Sequence, residues 1–103
     1  MEYDFENDNL VKLYETGKSG KYKLQPDVID KFFLRTEDIE AAVSIFDLIE
    51  KRSLNFEKLK KYKNRYSMRL NLKYRLEFSI EWKDEQKGLG KIIILDISNH
   101  YKD

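Results

Sequence analysis

The chain is predicted to fold as an α+β domain, with N-terminal helices packed on a small, mainly antiparallel sheet of three to four strands. Two observations carry this. Apolar residues recur at three- and four-residue spacing through roughly the first half, and strict alternation takes over from Tyr66 to Ile80. Helices first and an antiparallel sheet afterwards is the α+β order. A length of 103 residues, 41% hydrophobic and 14% aromatic, allows one modest core, so residues 1–103 are read as one domain.

Residues 2–5 fit a short strand. A helix is expected from about Asp8, with Leu10, Val11, Leu13 and Tyr14 on its inner face, ending in the loop Thr16-Gly17-Lys18-Ser19-Gly20. Pro26 opens a long helical region, because proline lacks the N–H that a first turn leaves unpaired anyway. Its apolar positions include Ile29, Phe32, Phe33, Ile39, Ala42, Val43, Ile45, Phe46 and Ile49, with a break expected at Thr36. The stripe Phe32, Phe33 and Phe46 reads as core, since large apolar side chains at helical period pack inward.

After Arg52 the period becomes two. Tyr66, Met68 and Leu70 alternate with Ser67, Arg69 and Asn71, and Tyr74, Leu76, Phe78 and Ile80 alternate with Arg75, Glu77 and Ser79. The short link Asn71-Leu72-Lys73 makes these two strands an antiparallel hairpin. A turn falls within Asp84–Gly90, and Lys91 to Ile97 reads as a buried third strand. On this pattern Arg69 and Arg75 leave the helix-covered side and share one exposed sheet face. The tail Ser98-Asn99-His100-Tyr101 is expected to overhang that face.

Several function classes are excluded. There is no cysteine, hence no disulfide framework, Cys-ligated zinc or Cys nucleophile. This fits a reducing cytoplasm. One histidine argues against a multi-His metal site, and no GxGxxG, phosphate-loop or GxSxG pattern occurs. The acidic start Met1-Glu2-Tyr3-Asp4 is unlike a signal peptide, and no apolar run is long enough to span a membrane. Neither a metal nor an organic cofactor is expected.

Charge is the positive indication. The formal net charge is only +1, yet residues 51–75 carry ten Lys/Arg against one acid, Glu57. The first fifty residues hold 6 Lys/Arg and 12 Asp/Glu. A basic segment that also contains Tyr62, Tyr66 and Tyr74 suits a polyanion with stackable bases, RNA or DNA. A solvated, Lys-rich loop beside an ordinary strand is the other reading of the same residues. His100 is the only side chain with an ordinary pKa near neutrality, which makes it the first choice for a general acid or base.

The stretch Tyr66-Ser67-Met68-Arg69-Leu70-Asn71-Leu72-Lys73-Tyr74-Arg75-Leu76-Glu77-Phe78 resembles the strand–turn–strand of bacterial RelE/HigB-type toxins. Leu59-Lys60 looks like that family's Leu-Lys loop. Leu10-Val11-Lys12-Leu13-Tyr14-Glu15-Thr16-Gly17 looks like the first helix of the HigB branch, and Leu95-Asp96-Ile97-Ser98-Asn99-His100-Tyr101 like its final strand. The ordered set covers nearly the whole chain.

The resemblance implies a ribonuclease-like fold and the toxin half of a type II toxin–antitoxin pair. It implies a protein antitoxin as partner, HigA-like and joined in a hetero-oligomer, and metal-free cleavage of mRNA in the ribosomal A site. ParE relatives share the fold and poison DNA gyrase, so that reading stays open, as does a non-catalytic RNA-binding module. Arg75 matches the position of the family's phosphate-binding arginine. Metal-free cleavage would use the substrate 2′-hydroxyl, with His100, Tyr101 and Glu57 as the candidate acid–base groups beside Arg75. Glu57 stands where some relatives have a histidine, and Asn99-His100-Tyr101 replaces an Asp-Tyr-His ending. Arg69, Lys58, Lys60, Lys61, Arg65 and Asn99 are the candidate RNA-binding residues.

Overall fold

The computed structural model describes residues 1–99; the expectations for His100 and Tyr101 lie outside the described residues. Strand β1 (Tyr3–Phe5) leads into helix α1 (Asp8–Thr16), then α2 (Pro26–Ala41) and α3 (Ile45–Glu50). A 3₁₀ turn at Arg52–Leu54 precedes β2 (Glu57–Lys58), β3 (Tyr66–Arg69), β4 (Tyr74–Asp84) and β5 (Leu89–Asn99). The class is α+β as predicted, but the sheet has five strands in the order β1-β5-β4-β3-β2, where three to four were expected. β1 is the short strand expected at residues 2–5, and it pairs with β5 as the one parallel neighbour. The unexpected strand is β2, which is only two residues long, too short to show a period in the sequence, and pairs with β3.

The helix starts follow local chemistry. The Asn7 side chain accepts the Leu10 N–H at 3.0 Å and caps α1, while its amide donates to the Leu95 carbonyl of β5. Gly17, at φ 74°, ends α1 with its N–H on the Leu13 carbonyl, a left-handed cap that glycine adopts freely. The long helical region does not break at Thr36. That residue is buried, and its hydroxyl donates to the Phe33 carbonyl inside an unbroken α2. The break lies at Ala42–Ser44, where Ser44 and Asp47 form a capping box that restarts the helix as α3.

One contiguous core joins the helices to one sheet face. Leu10, Leu13, Phe32, Ile39, Leu48, Met68, Leu76, Phe78, Ile92 and Ile94 are fully or almost fully buried. Phe32 is core as expected, Phe33 is only partly buried, and Phe46 is 45% exposed, contrary to expectation. Val43, at 78%, and Ile49, at 47%, are also exposed, as is part of Tyr14. The restart at Ser44 re-phases the apolar pattern, so α3 presents Ile45 and Leu48 to the core. A Cβ on Gly88 would lie 2.8 Å from the Phe46 ring, so the β4–β5 turn abuts α3.

Strand β5 is longer than predicted and carries a bulge. Glu77 pairs with Asp96, but the next residue, Phe78, pairs with Ile94, leaving Leu95 as the extra residue. The extra residue keeps both Ile94 and Ile97 on the core side and places Ser98 opposite Arg75. Ser98 and Asn99 therefore belong to the ladder and form no overhanging tail.

Candidate functional site

The face of the sheet away from the helices carries two rows of polar residues. One row crosses β2, β3 and β4 as Glu57, Ser67 and Glu77; the other crosses β3, β4 and β5 as Arg69, Arg75 and Ser98. The β2–β3 loop arches beside these rows. It is closed by the Leu59 N–H on the Arg65 carbonyl at 2.8 Å and the Tyr62 N–H on the Leu59 carbonyl at 3.1 Å. Loop and rows enclose a cleft of about 410 Å³, lined by Glu57, Leu59, Lys60, Lys61, Tyr62, Ser67, Arg75, Glu77 and Ser98.

Arg75 lies at the floor of this cleft and is only 5% exposed. Its Nε donates to the Ser67 hydroxyl at 2.8 Å. Its Nη2 donates to the Asn55 carbonyl at 2.5 Å and to the Ser67 carbonyl at 3.4 Å. Glu57 Oε2 stands 3.6 Å from the same Nη2, an ion pair with one half-exposed partner. Nη1 has no hydrogen-bond partner among the described residues. Burial pushes the guanidinium below its ordinary pKa and Arg69 adds to that, while Glu57 and Glu77 pull it back. Arginine starts so high that it stays a cation at neutral pH.

The Asn55 carbonyl reaches Arg75 because of its backbone. Asn55 follows the 3₁₀ turn at φ 45°, ψ 56°, and it is the one non-glycine residue with positive φ among the described residues. Asparagine tolerates this left-handed region better than most residues.

The candidate residues from the sequence divide here. Arg75, Glu57, Lys60 and Lys61 meet at the cleft. Arg69 is beside Arg75 in the ladder, and its carbonyl accepts from Arg35 of α2 at 2.8 Å. Lys58 is exposed on β2 and is not part of the cleft lining. Arg65 is committed to other partners: its Nε donates to Glu77 at 2.7 Å and its guanidinium lies 4.8 Å above the Tyr62 ring. Asn99 pairs with Tyr74 and lines a separate depression beside Tyr22, Lys23 and Asp96. Sequence reasoning did not single out Ser67, Asn55, Glu77 or Ser98 as site residues. A serine alternating on the same strand face as Arg69 was a weak signal for Ser67; nothing local marked Asn55.

Chemically, the cleft offers a fixed cation at its base, a carboxylate within ion-pair distance of it, and two lysines at its mouth. That set suits a phosphate flanked by a group able to take a proton. Among the described residues, no group of three or more His, Cys, Asp or Glu could hold a metal ion. No helix among the described residues is long and apolar enough to cross a membrane.

A family model described as the RelE-like toxin of the type II toxin–antitoxin system HigB matches residues 3–101. No curated protein matches the chain closely enough to serve as a relative. The match spans nearly the whole chain, and the chain belongs to the HigB-like toxin family.

Proposed function

We propose that this HigB-like toxin is a ribosome-dependent mRNA endonuclease that arrests translation in the cytoplasm, with the cleft around Arg75 as its active site. The observation that supports it most is the buried Arg75 guanidinium, held by Ser67 and Asn55 at the base of a Lys-rimmed cleft. Membership of the family implies a protein antitoxin as partner. The finer expectations are a HigA-like antitoxin in a hetero-oligomer and mRNA in the ribosomal A site.

In this reading the mRNA 2′-hydroxyl attacks the adjacent phosphorus. A base takes its proton as the new O–P bond forms, and the 5′-oxygen leaves with a proton from an acid. A 2′,3′-cyclic phosphate and a 5′-hydroxyl result. Arg75 stabilises the extra negative charge on the phosphorane, where a fixed donor in a partly dry site acts strongly. Glu57 lines the cleft 3.6 Å from Arg75 and is the group we assign to take the 2′ proton. His100 and Tyr101 are the remaining candidates for the proton to the leaving oxygen. Lys60 and Lys61 attract the strand by charge, and binding should weaken steeply with added salt.

The test is induction of the wild-type chain, Arg75→Ala and His100→Ala in bacteria, with mRNA 5′ ends and DNA supercoiling followed together. The expected result is growth arrest with new mRNA cuts, lost in both variants. Arrest with intact mRNA and altered supercoiling would instead make the protein a gyrase poison, and no arrest would leave an RNA-binding module.

A further inference from the structure

Tyr62 is a large aromatic side chain left 49% exposed at the cleft that holds Arg75. Its surroundings are more ordered than a solvated loop requires. The Arg65 guanidinium covers its ring at 4.8 Å, inside the range of a cation–π contact. Arg65 is itself fixed by Glu77, whose side chain is 15% exposed and anchored on β4, with Nε to Oε1 at 2.7 Å. The loop backbone is tied at both residues, through the Tyr62 N–H and the Arg65 carbonyl. Arg65 lies over one face of the ring, and about half of the residue stays exposed at the cleft.

We propose that Tyr62 is the stacking platform of a nucleobase subsite, with Arg65 and Glu77 as the residues that position it. It deepens the reading of the cleft as an RNA site and rests on it. Arg75 takes a phosphate, and the base of an adjoining nucleotide lies on the open face of the Tyr62 ring. The result is a guanidinium–phenol–base stack. Every base has a π-face, so the platform accepts any base and favours those that stack best. Arg65 thereby acts through Tyr62 rather than on the RNA backbone.

The test uses the full chain and ribosomes programmed with a short mRNA made uncleavable by 2′-O-methyl groups in the A-site codon, at low salt, beside the same strand carrying an abasic site there. A stacked base contributes roughly 5- to 150-fold in affinity. Tyr62→Ala and Tyr62→Leu should each lose about tenfold for the intact RNA, while Tyr62→Phe stays within about twofold of wild type. The abasic RNA with its missing base at the subsite should bind weakly and be indifferent to Tyr62→Ala. The leucine variant retains apolar bulk, so its loss together with rescue by phenylalanine separates stacking from loop packing. If Tyr62→Ala binds like wild type while Arg75→Ala binds weakly, the platform is wrong and the RNA cleft stands. Equal binding by wild type, Tyr62→Ala and Arg75→Ala would overturn both.

Discussion

The two faces of the β3–β4 hairpin are equally dry at their centres and are held by different physics. On the helix side Met68, Leu76 and Phe78 are all 0% exposed, packed among apolar neighbours. On the other side Ser67 is 1% and Arg75 5% exposed, yet the contacts are hydrogen bonds and an ion pair. The first face depends on volume and shape, and it tolerates best the hydrophobic swaps that conserve both. The second depends on donor and acceptor geometry, because a buried guanidinium without partners is costly. The anion site we propose lies on the face where burial already requires hydrogen-bond partners.

Substitutions that separate the faces give the largest effects. Arg75→Lys keeps the charge but loses the planar fork that serves Ser67, Asn55 and a phosphate together. We expect mRNA cleavage to fall by about 10²- to 10³-fold, the range for removing one fixed transition-state donor. The lysine cannot serve Ser67 and Asn55 together, so stability should also fall, by about 1–3 kcal/mol in denaturant unfolding. A full loss of folding would show that the second face is structural. On the first face, Phe78→Ala should cost about 3–5 kcal/mol in denaturant unfolding, because it leaves a cavity among Phe56, Tyr66 and the isoleucines of β5. Activity should fall only as folded protein is lost.

Smaller changes sharpen the contrast. Gly88→Ala combines a positive φ of 68° with a Cβ 2.8 Å from Phe46, so it should cost about 1–3 kcal/mol while the isolated cleft chemistry persists. Equal stability of wild type and Gly88→Ala would mean that the β4–β5 turn does not need its contact with α3. Tyr22→Phe removes a 2.5 Å bond from its hydroxyl to Asp96 and should cost about 1 kcal/mol near neutral pH. Burial first, then the Asp96 hydrogen bond and charge, hold the Tyr22 hydroxyl above its ordinary value of 10.0. A raised pKa means that the folded state keeps a proton that the unfolded state releases above pH 10. This contribution is present below pH 10 and is lost as pH rises beyond it. The phenylalanine variant should therefore show a flatter alkaline limb of unfolding, and an unchanged limb would place the titration elsewhere.

Much of the core could be read directly because periodicity and burial have the same cause. Leu10, Leu13, Phe32, Met68, Leu76 and Phe78 recur at helix or strand spacing, and all are fully buried. The same rule failed for Phe46 and Ile49, whose phase depends on where α3 restarts, and that is set by Ser44 and Asp47. Within the site, Arg75 and Glu57 were marked by the positions they hold in the RelE/HigB-type pattern, Arg75 after the hairpin tyrosine and Glu57 before Leu59-Lys60. The pairing of Arg65 with Glu77 was not legible, because it joins a loop residue to a strand residue twelve positions along the chain.

The amino-acid sequence by itself determined the class of the fold, the hairpin, the apolar face and the concentration of positive charge. Each of these is set by neighbours a few residues apart, through backbone period, turn chemistry or composition. Only the tertiary structure decided that Arg75 is buried and held, that Asn55 turns its carbonyl toward it, and that Ser98 joins the same face. The reason lies in the extra residue at Leu95 and the left-handed Asn55. Each re-aims the groups beside it, and each takes its meaning from a partner strand or side chain far along the chain.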